Sequence, residues 1–264
     1  MKINLSDKRA VISGSTAGIG FAIARGLAEA GATVVINGRN PVTVTAAVKR
    51  LKDELLGARV EGVPADLATA PGVAAFIARV PEADILINNL GIFEPKPFGE
   101  IPDEDWFRFF ETNVMSGIRL SRHYLPGMVE NDWGRVIVIS SESALHIPPE
   151  MIHYGMTKTA QLAIARGLAE SVAGTGVTVN SVLPGPTRSE GVADFFGKMA
   201  QQHGMTQAEM EQKFIAEHRP TSVIGRLATV DEVANMVVYL SSPQASATTG
   251  ASVRVDGGVL RSIA

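Results

Sequence analysis

Short apolar runs alternate with longer helical patterns along the whole chain, and this alternation constrains the fold more than any other feature of the sequence. The runs are nearly continuous in Val, Ile and Leu, which is typical of strands buried on both faces of a parallel sheet. Parallel strands are joined through right-handed helical crossovers. The sequence therefore predicts strands at 9–13, 33–37, 60–64, 85–88, 135–140, 178–183 and 252–255, and helices at 19–30, 42–56, 72–79, 103–125, 154–173 and 230–240.

These elements predict an α/β fold, with a doubly wound, Rossmann-type parallel sheet of about seven strands and helices on both faces. No repeat and no Pro/Gly-rich linker divides the chain, so we expect a single domain over residues 1–264. The stretch 184–227 departs from the alternation, because it contains two short amphipathic pieces between the last two strands. We expect a substrate lid at about 189–226.

The composition excludes several classes of function. Lys and Arg number 24 against 27 Asp and Glu, a net charge of −3, so no bulk attraction to nucleic acid or to an anionic membrane is expected. The chain has no cysteine, which excludes disulfides and thiolate nucleophiles, and we predict no metal site. No window reaches the ~20 apolar residues of a membrane span, and the first residues lack the apolar core of a signal peptide. We therefore expect a cytoplasmic protein.

A glycine-rich segment connects the first predicted strand to the first predicted helix. Glycines at this point allow a tight turn and let a pyrophosphate approach the backbone, while the helix N-terminus offers free N–H groups to phosphate. A tight turn without a ligand is the alternative. Because strand, glycines and helix occur in order at the first crossover, we predict a dinucleotide site with contacts from Gly14, Ser15, Thr16, Gly18, Ile19 and Gly20.

The second predicted strand ends at Asn37-Gly38-Arg39, where an acidic residue would bind the ribose hydroxyls of NAD(H). No acidic residue is present there. A guanidinium can bind a 2′-phosphate through two parallel hydrogen bonds, so Arg39 favours NADP(H) as the cofactor. NAD(H) is the alternative if Arg39 is an ordinary solvated loop residue.

Tyr154 and Lys158 lie four residues apart in a predicted helix, so both side chains can face one cleft. A nearby cation favours the phenolate form of tyrosine, whose ordinary pKa is about 10. A tyrosine tuned in this way can exchange a proton with a substrate oxygen. The alternative is a surface helix whose lysine extends towards solvent.

Several motifs occur together and in register with this pair. The motifs are Gly14-x3-Gly18-Ile19-Gly20, Asn88-Asn89-Leu90-Gly91, Asn113, Ser141, Tyr154-x3-Lys158 and Pro184-Gly185. Their order and spacing resemble the short-chain dehydrogenase/reductase family from about Leu5 to the segment 256–258, and most of all its short single-domain branch, which includes the 3-oxoacyl-[acyl-carrier-protein] reductases.

The resemblance implies four catalytic residues. Tyr154 would be the general acid in reduction and the base in oxidation, and Lys158 would bind the nicotinamide ribose and lower the pKa of Tyr154. Ser141, rather than its neighbour Ser140, would hydrogen-bond the substrate oxygen. Asn113 would hold a water that links Lys158 to solvent.

The resemblance also implies cofactor contacts outside the glycine turn. Asp66 would accept a hydrogen bond from the adenine amino group, with a helix cap as its alternative role. Ala17 occupies a place where many NADPH-using members have a basic residue, so this position does not support NADP(H). The remaining implied contacts are Leu67, Asn89 and Gly91 beside the adenosine half, and Tyr154, Lys158, Pro184, Gly185, Thr187 and Ser189 beside the nicotinamide half.

The predicted lid has an apolar stripe at helical spacing, which begins at Val192. Its side chains form either the core of the lid or a surface that contacts an apolar substrate. Lys96 and Arg188 are candidates for an anionic substrate group, with solvation as the alternative. The stripe is Val192, Phe195, Phe196 and Met199, extended by Met205, Met210 and Phe214, and the rest of the wall would be Phe93, Leu145, His146 and Met151.

The sequence thus predicts an NADPH-preferring oxidoreductase that transfers a hydride between nicotinamide and a carbonyl or secondary alcohol. A small molecule, such as a 3-oxoacyl or other apolar ketone, would be the substrate. The alternatives are an NAD-linked alcohol or sugar dehydrogenase, a sugar-nucleotide epimerase, for which 264 residues leave little room, and a dinucleotide-binding regulator without turnover. The family resemblance also implies a homotetramer.

Overall fold

The computed structural model describes residues 2–263, but not the side chains of Phe195 and Lys198. Over these residues a seven-stranded parallel sheet forms the centre of the fold. All seven predicted strands are confirmed, each with bounds within one residue of the prediction. The strands are β1 Arg9–Ile12, β2 Thr33–Gly38, β3 Val60–Pro64, β4 Ile85–Asn88, β5 Gly134–Ile139, β6 Val177–Pro184 and β9 Ser252–Val255, and two short strands, β7 Thr187–Arg188 and β8 Ala228–Thr229, pair separately.

The order of the strands across the sheet is β3-β2-β1-β4-β5-β6-β9. Ile12 of β1 pairs with Ile36 of β2 on one side and with Ile87 of β4 on the other. The order therefore reverses between β1 and β4, and the connections from these two strands leave in opposite directions. A crevice forms at the carboxyl ends of strands at such a point, which is where doubly wound sheets bind ligands.

Five of the six predicted helices agree with the structure to within two residues at each end, and the exception is the predicted helix 103–125. Thr69 caps α3 by accepting from the Gly72 N–H, and Thr229 caps α9 together with Glu232. No helix within residues 2–263 combines the length and apolarity of a membrane span. The helices are α1 Gly18–Glu29, α2 Pro41–Glu54, α3 Ala70–Arg79, α4 Asp103–Phe110, α5 Ser116–Glu130, α6 Ile152–Ser171, α7 Glu190–His203, α8 Gln207–His218 and α9 Val230–Leu240.

The predicted helix 103–125 is interrupted, and in this respect the prediction was wrong. A π-helical turn, Glu111–Met115, lies between α4 and α5. Such turns are uncommon and often occur at functional sites. Asn113 lies within this turn and is buried. A π-helical turn contains one more residue than an α-helical turn. Apolar periodicity predicts a helix here, but it does not reveal that additional residue.

The sheet has an apolar core on each face. Alternate residues of β1 supply both: Ala10 and Ile12 contact one core, and Val11 contacts the other. The first core is completed by α1, α2 and α9, and the second by α3, α5 and α6. Burial on both faces explains why the strands are nearly continuous in apolar residues.

The segment 189–226 has a small apolar core of its own. Phe196 of α7 is 3% exposed, and its ring centroid lies 5.1 Å from that of Phe214 in α8. The predicted stripe therefore joins α7 to α8 and forms the core of this segment. Phe195, a member of the stripe, has its side chain outside the described residues. The core comprises Phe196, Ala200, Met210, Ile215 and Leu227, with Val192, Met199, Met205 and Phe214 partly buried around it.

We predict that Phe196→Ala loosens α7 and α8 without unfolding the sheet. Removing a buried phenyl ring costs about 3–5 kcal/mol, and here the lost contacts belong to the small core of the segment. Hydrogen exchange measured by mass spectrometry should accelerate across 190–218 alone. Phe76→Ala, the matched change in the sheet core where Phe76 is 0% exposed, should instead lower Tm of the whole protein. Unchanged exchange across 190–218 in Phe196→Ala would contradict this account.

Candidate active site

The glycine turn after β1 has the backbone that its sequence predicts. Gly14 and Gly18 have positive φ angles of 60° and 58°, which favour glycine. Gly20 lies where α1 meets the turn, and a Cβ there would be 2.5 Å from both the Asn89 Nδ2 and the Gly14 carbonyl oxygen. A side chain at this position would therefore separate the helix from the turn.

Two polar side chains join the carboxyl ends of β1 and β4. The Ser13 Oγ accepts hydrogen bonds from the backbone N–H groups of Asn89 and Leu90, both at 2.9 Å. The Asn89 Nδ2 donates to the carbonyl oxygens of Ser13 at 3.0 Å and Gly14 at 2.9 Å. The predicted cofactor residue Asn89 thus holds the glycine turn through its side chain.

A third polar side chain, missed in the sequence, fixes the neighbouring strands. The buried Asn37 donates to the carbonyl oxygens of Val63 at 3.1 Å and Ala65 at 3.2 Å, and its Oδ1 accepts from the Gly14 N–H at 3.3 Å. The available signal was a polar residue at the end of an otherwise apolar strand. Such a residue has to find partners among the unpaired backbone groups where the sheet ends.

The start of α1 can receive an anion. Ala17 is the N-cap residue and makes no side-chain cap, and no acidic residue lies in the first turn of this helix. The first N–H groups of a helix lack intrahelical partners and carry the positive end of the helix dipole. With the positive φ angles of the glycines, these features fit a dinucleotide pyrophosphate.

The end of β2 presents Gly38 beside Thr16. A Cβ at Gly38 would be 2.7 Å from the Thr16 Cγ2, so this side of the site has little room. Arg39 is exposed and makes no ion pair with a carboxylate among residues 2–263. Its guanidinium is therefore available to a ligand at the end of the strand.

Two predicted adenine-side residues have local roles. The Asp66 Oδ1 accepts from the Ala68 N–H at 3.2 Å, and the cap of α3 is Thr69 rather than Asp66. Leu67 is 1% exposed, and its side chain belongs to the apolar core.

Four of the residues predicted on the nicotinamide side, Pro184, Gly185, Thr187 and Ser189, lie at the end of β6 and directly after it. A Cβ at Gly185 would be 2.7 Å from the Asp256 carbonyl oxygen, which explains the glycine after Pro184. The Thr187 Oγ1 donates to the Gly185 carbonyl at 2.8 Å, and Ser189 caps α7. These contacts shape the start of the 189–226 segment.

The four predicted catalytic residues converge from three places in the chain. Ser141 follows β5, Tyr154 and Lys158 lie in α6, and Asn113 lies in the π-helical turn. The Lys158 Nζ is 5.6 Å from the centroid of the Tyr154 ring and donates to the Ile139 carbonyl at 3.0 Å. Ser140, the alternative to Ser141, points away and donates to the Lys158 carbonyl at 2.9 Å.

Asn113 fastens the loop after β4 to α6. Its Oδ1 accepts from the Ile92 N–H at 2.8 Å, and its Nδ2 donates to the Thr157 Oγ1 at 3.0 Å. Its carbonyl oxygen accepts from the Gln161 Nε2 at 2.6 Å. Lys158 itself is buried, and a Cβ at Gly91 would be 3.4 Å from its Nζ.

Burial sets the pKa values of the catalytic pair. Burial raises the pKa of Tyr154 above its usual value near 10, while hydrogen bonding with Ser141 acts in the opposite direction. Burial lowers the pKa of Lys158 to about 8. The pKa of Tyr154 is thus raised by loss of solvent from around the phenol, and not lowered by Lys158 as expected.

The site contains a buried ion pair that the sequence analysis missed. Glu142 follows Ser141 directly, and its Oε1 accepts from the Nε of Arg219 at 3.0 Å. Both side chains are buried. The only signal was an acidic residue among small residues beside Ser141, and its partner is 77 residues away in sequence.

The substrate side is open and largely apolar. Phe93 contacts Tyr154 edge to face, with ring centroids 6.4 Å apart. Phe93 and Leu145 are 63% and 56% exposed, so both can line a cleft. Lys96 pairs with Asp105, and Arg188 pairs with Glu211. Because both cations have carboxylate partners, neither is a free receptor for an anionic group.

No group of three or more His, Cys, Asp or Glu side chains among the described residues is arranged to hold a metal ion.

The known proteins that are similar to this chain include several oxidoreductases. A family model described as Enoyl-(Acyl carrier protein) reductase matches residues 14–260. The chain is 49% identical to the uncharacterized oxidoreductase YvaG of Bacillus subtilis, with 100% of both chains covered. It is 31% identical to the 3-oxoacyl-[acyl-carrier-protein] reductase FabG of Aquifex aeolicus, with 98% of this chain and 100% of the relative covered. The solved structure of L-sorbose reductase from Gluconobacter frateurii, complexed with NADPH and L-sorbose, has a TM-score of 0.94 at 34% identity, with 100% of both chains covered.

We predict that Gly20→Ala lowers Tm and weakens dinucleotide binding together, because the new Cβ would meet the Asn89 amide and the Gly14 carbonyl at 2.5 Å. Thermal unfolding and a cofactor fluorescence titration measure the two effects. Gly167→Ala is the matched control: its Cβ meets nothing within 4 Å, so the exposed helix should gain about 0.5–1 kcal/mol. A Gly20→Ala variant as stable as the wild type would show that the turn has room to adapt.

Proposed function

This chain belongs to the short-chain dehydrogenase/reductase family, a family of NAD(P)-dependent oxidoreductases of alcohols and ketones, and we propose that it reduces a ketone to a secondary alcohol with NADPH. The observation that carries the proposal is the convergence of Ser141, Tyr154 and Lys158 beside the glycine turn. Tyr154 and Lys158 lie four residues apart in α6, and both can act on a substrate because they face the proposed cofactor site.

The residues of the site fit a nicotinamide dinucleotide. The turn from Gly14 to Gly20 and the free start of α1 would hold the pyrophosphate, and Lys158 would bind the ribose next to the nicotinamide. When bound, the cofactor supplies or accepts the hydride. The chain's own residues orient the substrate oxygen and move its proton.

Tyr154 would donate the proton to the substrate oxygen. Its raised pKa keeps the phenol protonated at neutral pH, which suits a donor in the direction of reduction. Ser141 would bind the same oxygen. Asn113 would hold the loop after β4 against α6 and, with Lys158, would serve the return of a proton to Tyr154.

For the cofactor, we infer a preference for NADPH. Arg39 is exposed at the end of β2 with no carboxylate partner among residues 2–263, and no acidic side chain occupies positions 37–39. The similar L-sorbose reductase is complexed with NADPH. Ala17 contributes nothing to this preference, so Arg39 would supply most of it.

For the substrate, we propose a small ketone held against Phe93 and Leu145. The similarity to L-sorbose reductase favours a sugar ketone as the second candidate beside an apolar or 3-oxoacyl ketone. The complete set of Asn113, Ser141, Tyr154 and Lys158 argues against a regulator without turnover.

We also propose one domain with the segment 189–226 as its substrate lid, assembled into a homotetramer. Phe107 and Phe110 are exposed on α4, and β9 is an edge strand of the sheet in the described part of the chain. A helix face with exposed phenyl rings and an edge strand are surfaces that a second copy of the chain could cover.

We expect Tyr154→Phe to lower kcat by at least about 10²-fold, because the transferable proton is lost while the ring is kept. Consumption of NADPH would be followed with L-sorbose, a 3-oxoacyl thioester and a simple apolar ketone, and NADPH binding by fluorescence should be retained. Tyr239→Phe on α9 is the control, with kcat unchanged. If the wild type is active and Tyr154→Phe keeps most of that activity, Tyr154 is not the proton donor.

We expect NADPH to bind at least several-fold more tightly than NADH, and Arg39→Ala to remove most of the difference. A guanidinium–phosphate contact contributes about 1.5–3 kcal/mol, or roughly ten- to a hundredfold in affinity. Gly38→Asp should reverse the preference by repelling the 2′-phosphate, and it should need the Thr16→Ser change as well, because the Thr16 Cγ2 would lie 2.7 Å from the new Cβ. Both cofactors would be titrated into the wild type, Arg39→Ala, Gly38→Asp and the double variant Gly38→Asp/Thr16→Ser. Equal affinities of the wild type for NADPH and NADH would exclude this role of Arg39.

A further inference from the structure

The Ser141 hydroxyl already has a hydrogen-bond acceptor in this structure. Its Oγ donates to the Glu142 Oε2 at 2.6 Å and accepts from the Ser143 N–H at 3.1 Å. A hydroxyl has a single hydrogen to donate. Ser141 can therefore donate to a ketone oxygen, as the proposed function requires, only by turning that hydrogen away from Glu142.

Glu142 then loses the hydrogen bond to one of its two oxygens. Its Oε1 accepts from the Arg219 Nε at 3.0 Å, and among the described residues Ser141 is the one donor to its Oε2. The residue is 4% exposed, so bulk solvent has little access to it. Leaving a buried charged acceptor without a donor is unfavourable. A substrate that only accepts hydrogen bonds would therefore leave this carboxylate oxygen unpaired.

A substrate hydroxyl next to the ketone would restore the missing hydrogen bond. The Ser141 Oγ and the Glu142 Oε2 are 2.6 Å apart, so the two substrate groups that they bind must also lie close together. Oxygens on adjacent carbon atoms meet this condition. Tyr154 interacts with the same Ser141 side chain. The ketone oxygen would thus lie within reach of the proposed proton donor, while the neighbouring hydroxyl faces Glu142.

We propose that Glu142 is a specificity-determining residue that selects ketones with a hydroxyl group on the adjacent carbon. This inference rests on the proposed function and narrows its substrate class to α-hydroxyketones. Arg219 occupies Oε1 of the carboxylate, which leaves Oε2 to the substrate. Phe93 and Leu145 would contact the remainder of the ketone, for which they provide exposed apolar surface.

A purely structural role of the ion pair leads to a different expectation. If Glu142 and Arg219 only fasten the segment 189–226 to the residues after β5, their loss lowers activity towards every ketone alike. A role in selecting the substrate separates the two kinds of ketone. Without the carboxylate, an α-hydroxyketone loses its acceptor, whereas a simple ketone no longer competes for the Ser141 hydrogen.

The test compares matched ketones that differ by a hydroxyl in place of a methyl group. The pairs are hydroxyacetone with butanone, and α-hydroxyacetophenone with propiophenone, whose ring suits the apolar surface at Phe93. NADPH consumption measures kcat/KM for each ketone. The wild type should favour the hydroxy member at least about tenfold, because a hydrogen bond to a charged group contributes about ten- to a hundredfold in affinity.

Glu142→Gln keeps the shape of the side chain and removes its charge. It should bring the kcat/KM values of each pair together, by lowering the value for the hydroxy member and leaving or raising that for the simple ketone. Glu142→Leu/Arg219→Met replaces the whole ion pair, so that neither charge is buried alone, and should give the same change if the single variant fails to fold. Glu211→Gln is the matched control: Glu211 is a buried carboxylate of the segment 189–226 that pairs with Arg188, and the variant should keep the wild-type preference.

The outcomes separate this inference from the proposed function. Turnover with equal kcat/KM for both members of each pair, or a wild-type preference kept by the double variant, would overturn the inference and leave the proposed function standing. A wild type that reduces no ketone would overturn the proposed function. Binding in the presence of NADP⁺, measured by calorimetry, then decides the inference. The hydroxy members must bind more tightly to the wild type than the simple ketones do, and equal or absent binding would overturn the inference as well.

Discussion

The reversal of strand order between β1 and β4 is the constraint on which the rest of the structure depends. Parallel strands end at one edge of the sheet, and connections that leave in opposite directions open a crevice there. Ser13 and Asn89 close hydrogen bonds across this edge and hold the glycine turn to the end of β4. The start of α1 and the residues after β5 are therefore presented to one crevice, where a cofactor and a substrate can meet.

Polar groups are concentrated where the two apolar cores end. Asn37, Asn89 and Asn113 each use a side-chain amide to satisfy backbone groups that a sheet or helix leaves unpaired. The buried Lys158 donates to the Ile139 carbonyl in the same way. These hydrogen bonds connect the ends of the strands and helices around Tyr154 and Ser141.

The segment 189–226 differs from the sheet in how it is stabilised. Its helices contact each other through a small apolar core around Phe196, separate from the two cores of the sheet. The Glu142–Arg219 ion pair connects its end to the residues after β5. A segment with its own core can move as a unit. Such a movement would also change the ion pair between Arg219 and Glu142.

The sequence by itself determined the strands, most helices and the glycine turn, because these depend on periodicity and on backbone preferences within a few residues. The motifs in register also predicted Tyr154 and Lys158 as a pair facing one cleft, since one helical turn sets their spacing. The tertiary structure decided the rest: the π-helical turn at Asn113, the burial that raises the pKa of Tyr154, and the pairing of Glu142 with Arg219 across 77 residues. Burial, and pairing between residues far apart in sequence, depend on how whole helices and strands pack together. A local pattern of residues does not contain this information.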